Sequence, residues 1–507
     1  MMRAIARALF LLVAVLAVAA AVPLVPDLVP ADAGDRTAWR QELIRLETHL
    51  ASAYANFQWT VETDSLDLVA LHRSADSSLA AAGNRRAARR AFRDLVGAFD
   101  DGHLHVDPPA HPFVRLAERA IRGSGDPIEA GASAGSACRR LGFSGDSPAF
   151  GLPFDELPGY APVAMAPFRA GIVRGVNEDI AVIRIASFGE QNFGSACEEA
   201  WRARAAVSGD PCDDACADAL YEDVSRRLVA TFARTLEQLE RSGARTLLVD
   251  VTGNGGGSGL ADALARELSP VPLRSAPVGL IRHPHSLKAL VGQESLLTRE
   301  LARTDLPGRH RAVLDSARAR IEATIREVES PCDVTPLWRG ETVGCRQLVS
   351  DGMYSTGVLP YAQASELEGL AAAPALFHPL DYRYREGVYT GKLFILMDRG
   401  SASATELFAS LLRDNGAAAL IGERSWGAGC GYTYGGVSFE LSSVRMTLRA
   451  PDCARLRLTG ENERAGLAPD LPLDWAEQDG TGRARMALST AMTTAQASGA
   501  GQRSRPR

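Results

Sequence analysis

Apolar positions follow three rhythms along the chain. Between residues 36 and about 98, Leu43, Leu46, Leu50 and Tyr54, then Ala87, Ala91, Leu95 and Ala98, recur at three- to four-residue steps. That spacing predicts amphipathic helices. From about residue 170, short apolar runs take over at 180–185, 246–251, 393–397 and 417–421. Runs of this length with no polar alternation suit strands covered on both faces. Helical patterns at 217–241, from Leu260 onward and at 405–413 separate them, and 437–448 alternates like a hairpin. Strand and helix in alternation predict an α/β core behind a helical N-terminal region.

Composition marks the boundaries. The helical region, 36–112, ends in the proline-rich Asp107-Pro108-Pro109-Ala110-His111-Pro112. Residues 113–168, rich in Gly, Ser, Pro and Ala, are expected to be irregular, with no clear PDZ domain. The core spans 169–478 and carries an insertion at about 270–385 with a charged helical stretch at 310–329. The tail, 479–507, turns polar and small and is expected to be partly disordered.

Arg3 and Arg7 precede an apolar run to about Val22 that ends in Ala19-Ala20-Ala21. This is the pattern of a cleavable signal peptide over 1–21. The expected mature protein is exported, periplasmic or extracellular; an uncleaved N-terminal anchor is the alternative. No second membrane span is apparent. Eight cysteines agree with an oxidising compartment. Sequence proximity suggests Cys332–Cys345 and Cys430–Cys453, with the other four open. The chain has no CxxC knuckle, so zinc is not expected, and the chemistry its motifs suggest requires no metal or cofactor. Its 507 residues carry a net charge of −6 with both signs well mixed, which argues against a nucleic-acid partner.

Three segments could carry chemistry. In the first, the apolar run 393–397 meets Asp398-Arg399-Gly400 and then Ser401-Ala402-Ser403-Ala404. The pattern predicts strand, tight turn and helix, with Ser403 in the first helical turn. A serine there is a capping residue or a nucleophile whose oxyanion the helix start would favour. In the second, Val249 to Gly259 (VDVTGNGGGSG) places glycines after a buried strand. It is a tight turn, an imperfect dinucleotide loop or a wall that donates an amide to an oxyanion. In the third, Asp100-Asp101-Gly102-His103 offers His103 as a structural histidine or a general base. His103, His105 and Asp107 share one face of an extended chain, without an evident fourth metal ligand.

Taken in order, these segments, Gly422-Glu423, and Glu463 with Gly466-Leu467-Ala468-Pro469-Asp470 resemble the S41 serine peptidases, the family of C-terminal processing and tricorn-type proteases. The resemblance implies a crotonase/ClpP-like α/β catalytic core acting on a peptide or protein substrate. It puts Ser403 on the nucleophile, with Ser401 and Ser258 weaker candidates. It puts Gly256 and Ala404 on the oxyanion amides. The processing-protease branch carries a lysine between two glycines, where this chain has Ala428 in Gly427-Ala428-Gly429. Its two lysines, Lys288 and Lys392, lie outside that motif. The tricorn-type branch uses a histidine, matched by His103, oriented through a serine and a glutamate. Glu463 matches the glutamate, while Gly102 stands where the serine would be. The expected protein is an exported serine endopeptidase with His103 as base and Glu463 orienting it. The alternatives are a catalytically degenerate peptide- or ligand-binding protein on the same fold, and an acyl hydrolase of other specificity. The sequence leaves oligomeric state open.

Overall fold

A computed structural model describes residues 25–108, 127–146, 149–175 and 178–503. The signal-peptide segment lies outside these residues. So do parts of the proline-rich and irregular segments.

A seven-stranded sheet organises the core. Its order is Leu471–Pro472, Ala418–Gly422, Lys392–Met397, Thr246–Asp250, Ile180–Arg184, Ala170–Val173 and Tyr160–Ala164. The first five strands pair in parallel, and the last two add antiparallel neighbours. Four of the five parallel strands are those that the apolar runs predict; Leu471–Pro472 is not among them. Because side chains alternate along a strand, each run feeds two cores. Leu247, Val249, Ile395 and Met397 pack with Phe232 of helix Asp214–Arg241, Leu264 of Leu260–Leu268 and Phe408 of Ala404–Asp414. Leu248, Phe394 and Leu396 face the other way, onto Ala484, Ala487, Leu488 and Ala491. Each large side chain buried here stabilises by about 1.5–3 kcal/mol.

That second layer corrects the expectation for the tail. Residues Gly480–Arg503 form a helix. Ala484, Ala487, Ala491 and Ala495 are buried at helical spacing. Their small side chains make a narrow stripe that the surrounding Gly, Ser and Thr conceal, and alanine is the best helix former.

Helices Ala33–Ala53, Phe57–Glu62, Leu68–Ala80 and Arg85–Gly97 build the N-terminal region. Their core extends to Leu441, Met446 and Leu448 of the hairpin Val437–Leu441/Met446–Ala450. Strand His105–Asp107 pairs with the same hairpin. This contact carries the Asp-Gly-His segment to the catalytic core, some 300 residues ahead in the sequence. The insertion contributes strands Pro277–Ile281 and Leu348–Tyr354 and helices Pro284–Leu301 and Gly308–Glu329. Strand Cys453–Arg455 pairs with Pro277–Ile281. Four disulfides are formed: Cys332–Cys345, Cys430–Cys453, Cys138–Cys197 and Cys212–Cys216. The first two are the pairs that sequence proximity suggests.

Candidate active site

Ser403 sits where strand Lys392–Met397 turns into helix Ala404–Asp414, at φ 58° and ψ −115°. A non-glycine residue pays for this conformation with strain, which persists only where surrounding bonds hold it and which gathers at functional sites. The bonds are present. Asp398 Oδ1 accepts from the Gly253 and Gly400 amides at 2.8 and 2.9 Å. The Ser401 hydroxyl donates to Val251 O, and Ala402 N–H to Asn254 O. Glu406 accepts from the Ser403 N–H at 2.9 Å, and the Glu406 N–H goes to the Ser403 carbonyl at 3.0 Å.

The glycine-rich loop lies directly against this turn. A Cβ on Gly256 would stand 2.8 Å from Ala404 N and 2.9 Å from Ser403 Cβ. Only glycine permits that approach, at φ 102°. The Gly256 N–H, however, donates to Asn254 Oδ1 at 2.9 Å. Phe188 bonds Gly256 O and the Ser258 N–H, which turns the intervening Gly257 N–H to the opposite side of the segment. The Ala404 N–H is one of the first-turn donors that a helix leaves without an intrahelical partner.

His103 and Ser403 line one cleft of about 510 Å³, together with Gly257, Ala404 and Arg455. A larger groove of about 760 Å³, between 135–146 and 194–198, contains none of the expected catalytic residues. His103 Nδ1 lies 3.1 Å from the carbonyl oxygen of Ala428. A carbonyl only accepts, so this bond puts the proton on Nδ1 and leaves Nε2 with a lone pair. The backbone N–H of His103 donates to Asp101 Oδ1 at 2.8 Å. The Tyr432 hydroxyl donates to the His103 carbonyl. Burial holds the imidazole below its ordinary value. Asp101 and the Ala428 carbonyl oppose that shift, and Arg455 and Arg464 add to it. A histidine so tuned is neutral at pH 7 and competent to accept a proton.

The sequence reading and the geometry part at Glu463. This carboxylate is 1% exposed. It accepts from the Ser410 hydroxyl at 2.8 Å and from Arg455 Nε at 2.6 Å. Arg455 Nη2 in turn donates to the carbonyls of Ser403 at 2.7 Å and Gly429 at 2.8 Å. Glu463 thus faces Arg455 rather than His103. The carboxylate beside His103 is Asp101, whose Oδ1 lies 4.0 Å from Nδ1. Asp101 also accepts from the Tyr54 hydroxyl at 2.8 Å. Glu406 accepts from the amides of Gly427 and Gly429 and from the Ser425 hydroxyl, and so holds the loop around Ala428.

Neither lysine reaches the site. Lys392 begins the strand that ends near Ser403 and donates to Ala495 O, while Lys288 is exposed on the insertion. Ser258 bonds Phe188 O and Glu190, and Ser401 bonds Val251 O, so both hydroxyls serve structure. Among the described residues no cluster could hold a metal ion. Sequence reasoning missed Asp101, Glu406 and Arg455. Ser403-x-x-Glu406 has capping-box spacing and Asp101 adjoins the histidine motif; Cys453-Ala454-Arg455 offers no signal.

A strained serine, a neutral histidine and the helix-start amide of Ala404 around one cleft define a candidate serine hydrolase site on an α/β core. Residues 344–470, which hold Ser403, Ala428, Arg455 and Glu463, match the model of peptidase family S41. Over that segment the chain is similar to the S41 peptidases. No curated protein matches it in sequence. Its fold is similar to that of mature CPAF complexed with lactacystin, with a TM-score of 0.57 and 15% identity over 91% of this chain and 99% of that one. A second structure of mature CPAF gives a TM-score of 0.52 and 16% identity over 87% and 93%.

Proposed function

We propose that the protein is an exported serine endopeptidase that cleaves peptide bonds through an acyl-enzyme on Ser403. The observation that carries this reading is the cleft lined by both the strained Ser403 and His103, whose Nδ1 is fixed by the Ala428 carbonyl. His103 Nε2 takes the Ser403 hydroxyl proton as Oγ bonds to the scissile carbonyl carbon. The Ala404 amide and the adjoining loop hold the oxyanion, with Gly257 rather than the already bonded Gly256 as second donor. One such donor is worth about 3 kcal/mol in the transition state. As the C–N bond breaks, protonated His103 gives its proton to the leaving amine. Water then attacks the ester carbonyl, loses a proton to His103, and releases the acid and Ser403.

Arg455 and Glu463 act one step away from the reaction by fixing the Ser403 and Gly429 carbonyls. Glu463 therefore supports the serine turn in this reading instead of orienting His103 directly. Four disulfides support export. The test is Ser403→Ala, expected to abolish hydrolysis of an unfolded protein substrate with thermal unfolding nearly unchanged. Full activity in that variant refutes the assignment. Tight peptide binding by a wild-type chain without turnover favours the degenerate binding protein instead.

A further inference from the structure

The insertion closes one side of the cleft that holds Ser403, and its residues define what that side accepts. Val278, Leu280, Met353 and Leu407 give it apolar walls. Among the described residues lining it there is no Asp or Glu. A lysine or arginine side chain entering here would find no counter-ion, and an uncompensated charge is costly in such a place. The cation present, Arg455, has Nε and Nη2 committed to Glu463, Ser403 and Gly429. An acidic side chain gains little from it.

Two polar atoms on the insertion nevertheless lack partners. Gln293 Oε1, on helix Pro284–Leu301, and Ser355 Oγ, just after strand Leu348–Tyr354, are shielded from water and form no hydrogen bond. Both residues line the cleft and both are only half-buried. Unmatched polar groups of this kind are rare in folded proteins, and each calls for an explanation. The Gln293 amide already hydrogen-bonds Tyr434, whose hydroxyl burial pushes up to about 12, so it is Oε1 alone that is left over.

We propose that this wall is a side-chain subsite selecting an uncharged carboxamide, glutamine or asparagine, at a substrate position next to the scissile bond. In this proposal both side chains turn into the cleft on binding: a carboxamide N–H then meets Gln293 Oε1, its C=O accepts from the Ser355 hydroxyl, and its methylenes lie on the apolar walls. Glutamate lacks the donor, methionine lacks both polar partners, and lysine lacks a counter-ion. The subsite rests on the peptidase reading for its place beside a scissile bond, though its chemistry is readable without turnover.

The experiment uses the full chain and a peptide set randomised at both positions flanking the cleaved bond. The same peptides are titrated against the Ser403→Ala chain. Glutamine or asparagine at one flanking position is expected to raise kcat/KM about tenfold or more over glutamate, lysine and methionine, since a site built around hydrogen bonds rejects analogues that leave them unmade. Gln293→Leu is expected to invert the glutamine-to-methionine ratio, while Gln293→Asn keeps its sign. Cleavage without carboxamide preference overturns the subsite and leaves the peptidase reading standing. Carboxamide-selective binding to Ser403→Ala with no cleavage by the wild-type chain supports the subsite and overturns the peptidase reading. Absence of preference in both assays overturns the subsite.

Discussion

The carbonyl oxygen of Ala428 lies 3.1 Å from Nδ1 of His103. The position that holds a lysine in the processing-protease motif here supplies a backbone acceptor to a histidine. A backbone carbonyl can set the imidazole tautomer whatever side chain the residue carries. The loop that presents it is in turn held by Glu406 through the Gly427 and Gly429 amides.

The first prediction concerns pH. Burial lowers the His103 value below that of an ordinary imidazole, and the base works only when neutral. Accordingly kcat/KM should fall on acidification with an apparent pKa below about 6.5 and be flat through neutrality. His103→Gln should lose about 10²–10⁴ in kcat. An acid limb centred above 7 contradicts this tuning.

Arg455 and Glu463 should behave as a pair. Removing one partner leaves a buried charge alone, at about 3–5 kcal/mol of stability. Arg455→Met and Glu463→Gln should each lower kcat more than they raise KM, because the Ser403 and Gly429 carbonyls lose their clamp. The double variant Arg455→Met/Glu463→Gln should be less destabilised than the sum of the singles. Denaturant titrations of all four proteins give the cycle; simple additivity would show that the contact carries no coupling.

Gly256→Ala tests the close approach of the loop to the serine turn. The added methyl would meet Ala404 N and Ser403 Cβ at under 3 Å. The positive φ alone should cost more than about 1 kcal/mol, and activity should fall with it. Gly255→Ala, where a Cβ meets nothing within 4 Å, is the control and should be much milder in both respects.

A fourth prediction lies outside the site. His49 stacks on Phe439, and its Nε2 is buried without a partner. Burial, with nearby His283 adding to it, lowers its pKa to about 4. Between that value and the ordinary 6.5 the unfolded chain binds the proton and the folded chain does not. Stability should therefore rise with pH across this window and be lost as pH falls through it. His49→Phe should flatten that dependence in thermal melts taken from pH 7 to 4; an unchanged slope would point to other groups.

The four central parallel strands were legible because each follows an apolar run, and runs such as Leu393–Met397 end directly in the turn that bears Ser403; the two-residue Leu471–Pro472 carries no such signal. The C-terminal helix was not legible, since an alanine stripe at 484, 487, 491 and 495 carries little hydrophobic signal. Within the site, Ser403 and His103 could be found because short motifs surround them. Arg455 could not. Its role arises from the pairing of Cys453–Arg455 with the insertion strand Pro277–Ile281, a long-range contact that no local pattern encodes. Glu463 stands out by its motif, but its contact with Arg455 was not legible for the same reason.

The most direct measurement is labelling of the intact protein with a fluorophosphonate, followed by mapping of the modified residue. The account predicts one adduct, on Ser403, formed rapidly at pH 7 and slowed by orders of magnitude in His103→Ala, with folding unchanged. Labelling at another serine, or equal labelling of Ser403 in the absence of His103, would contradict it.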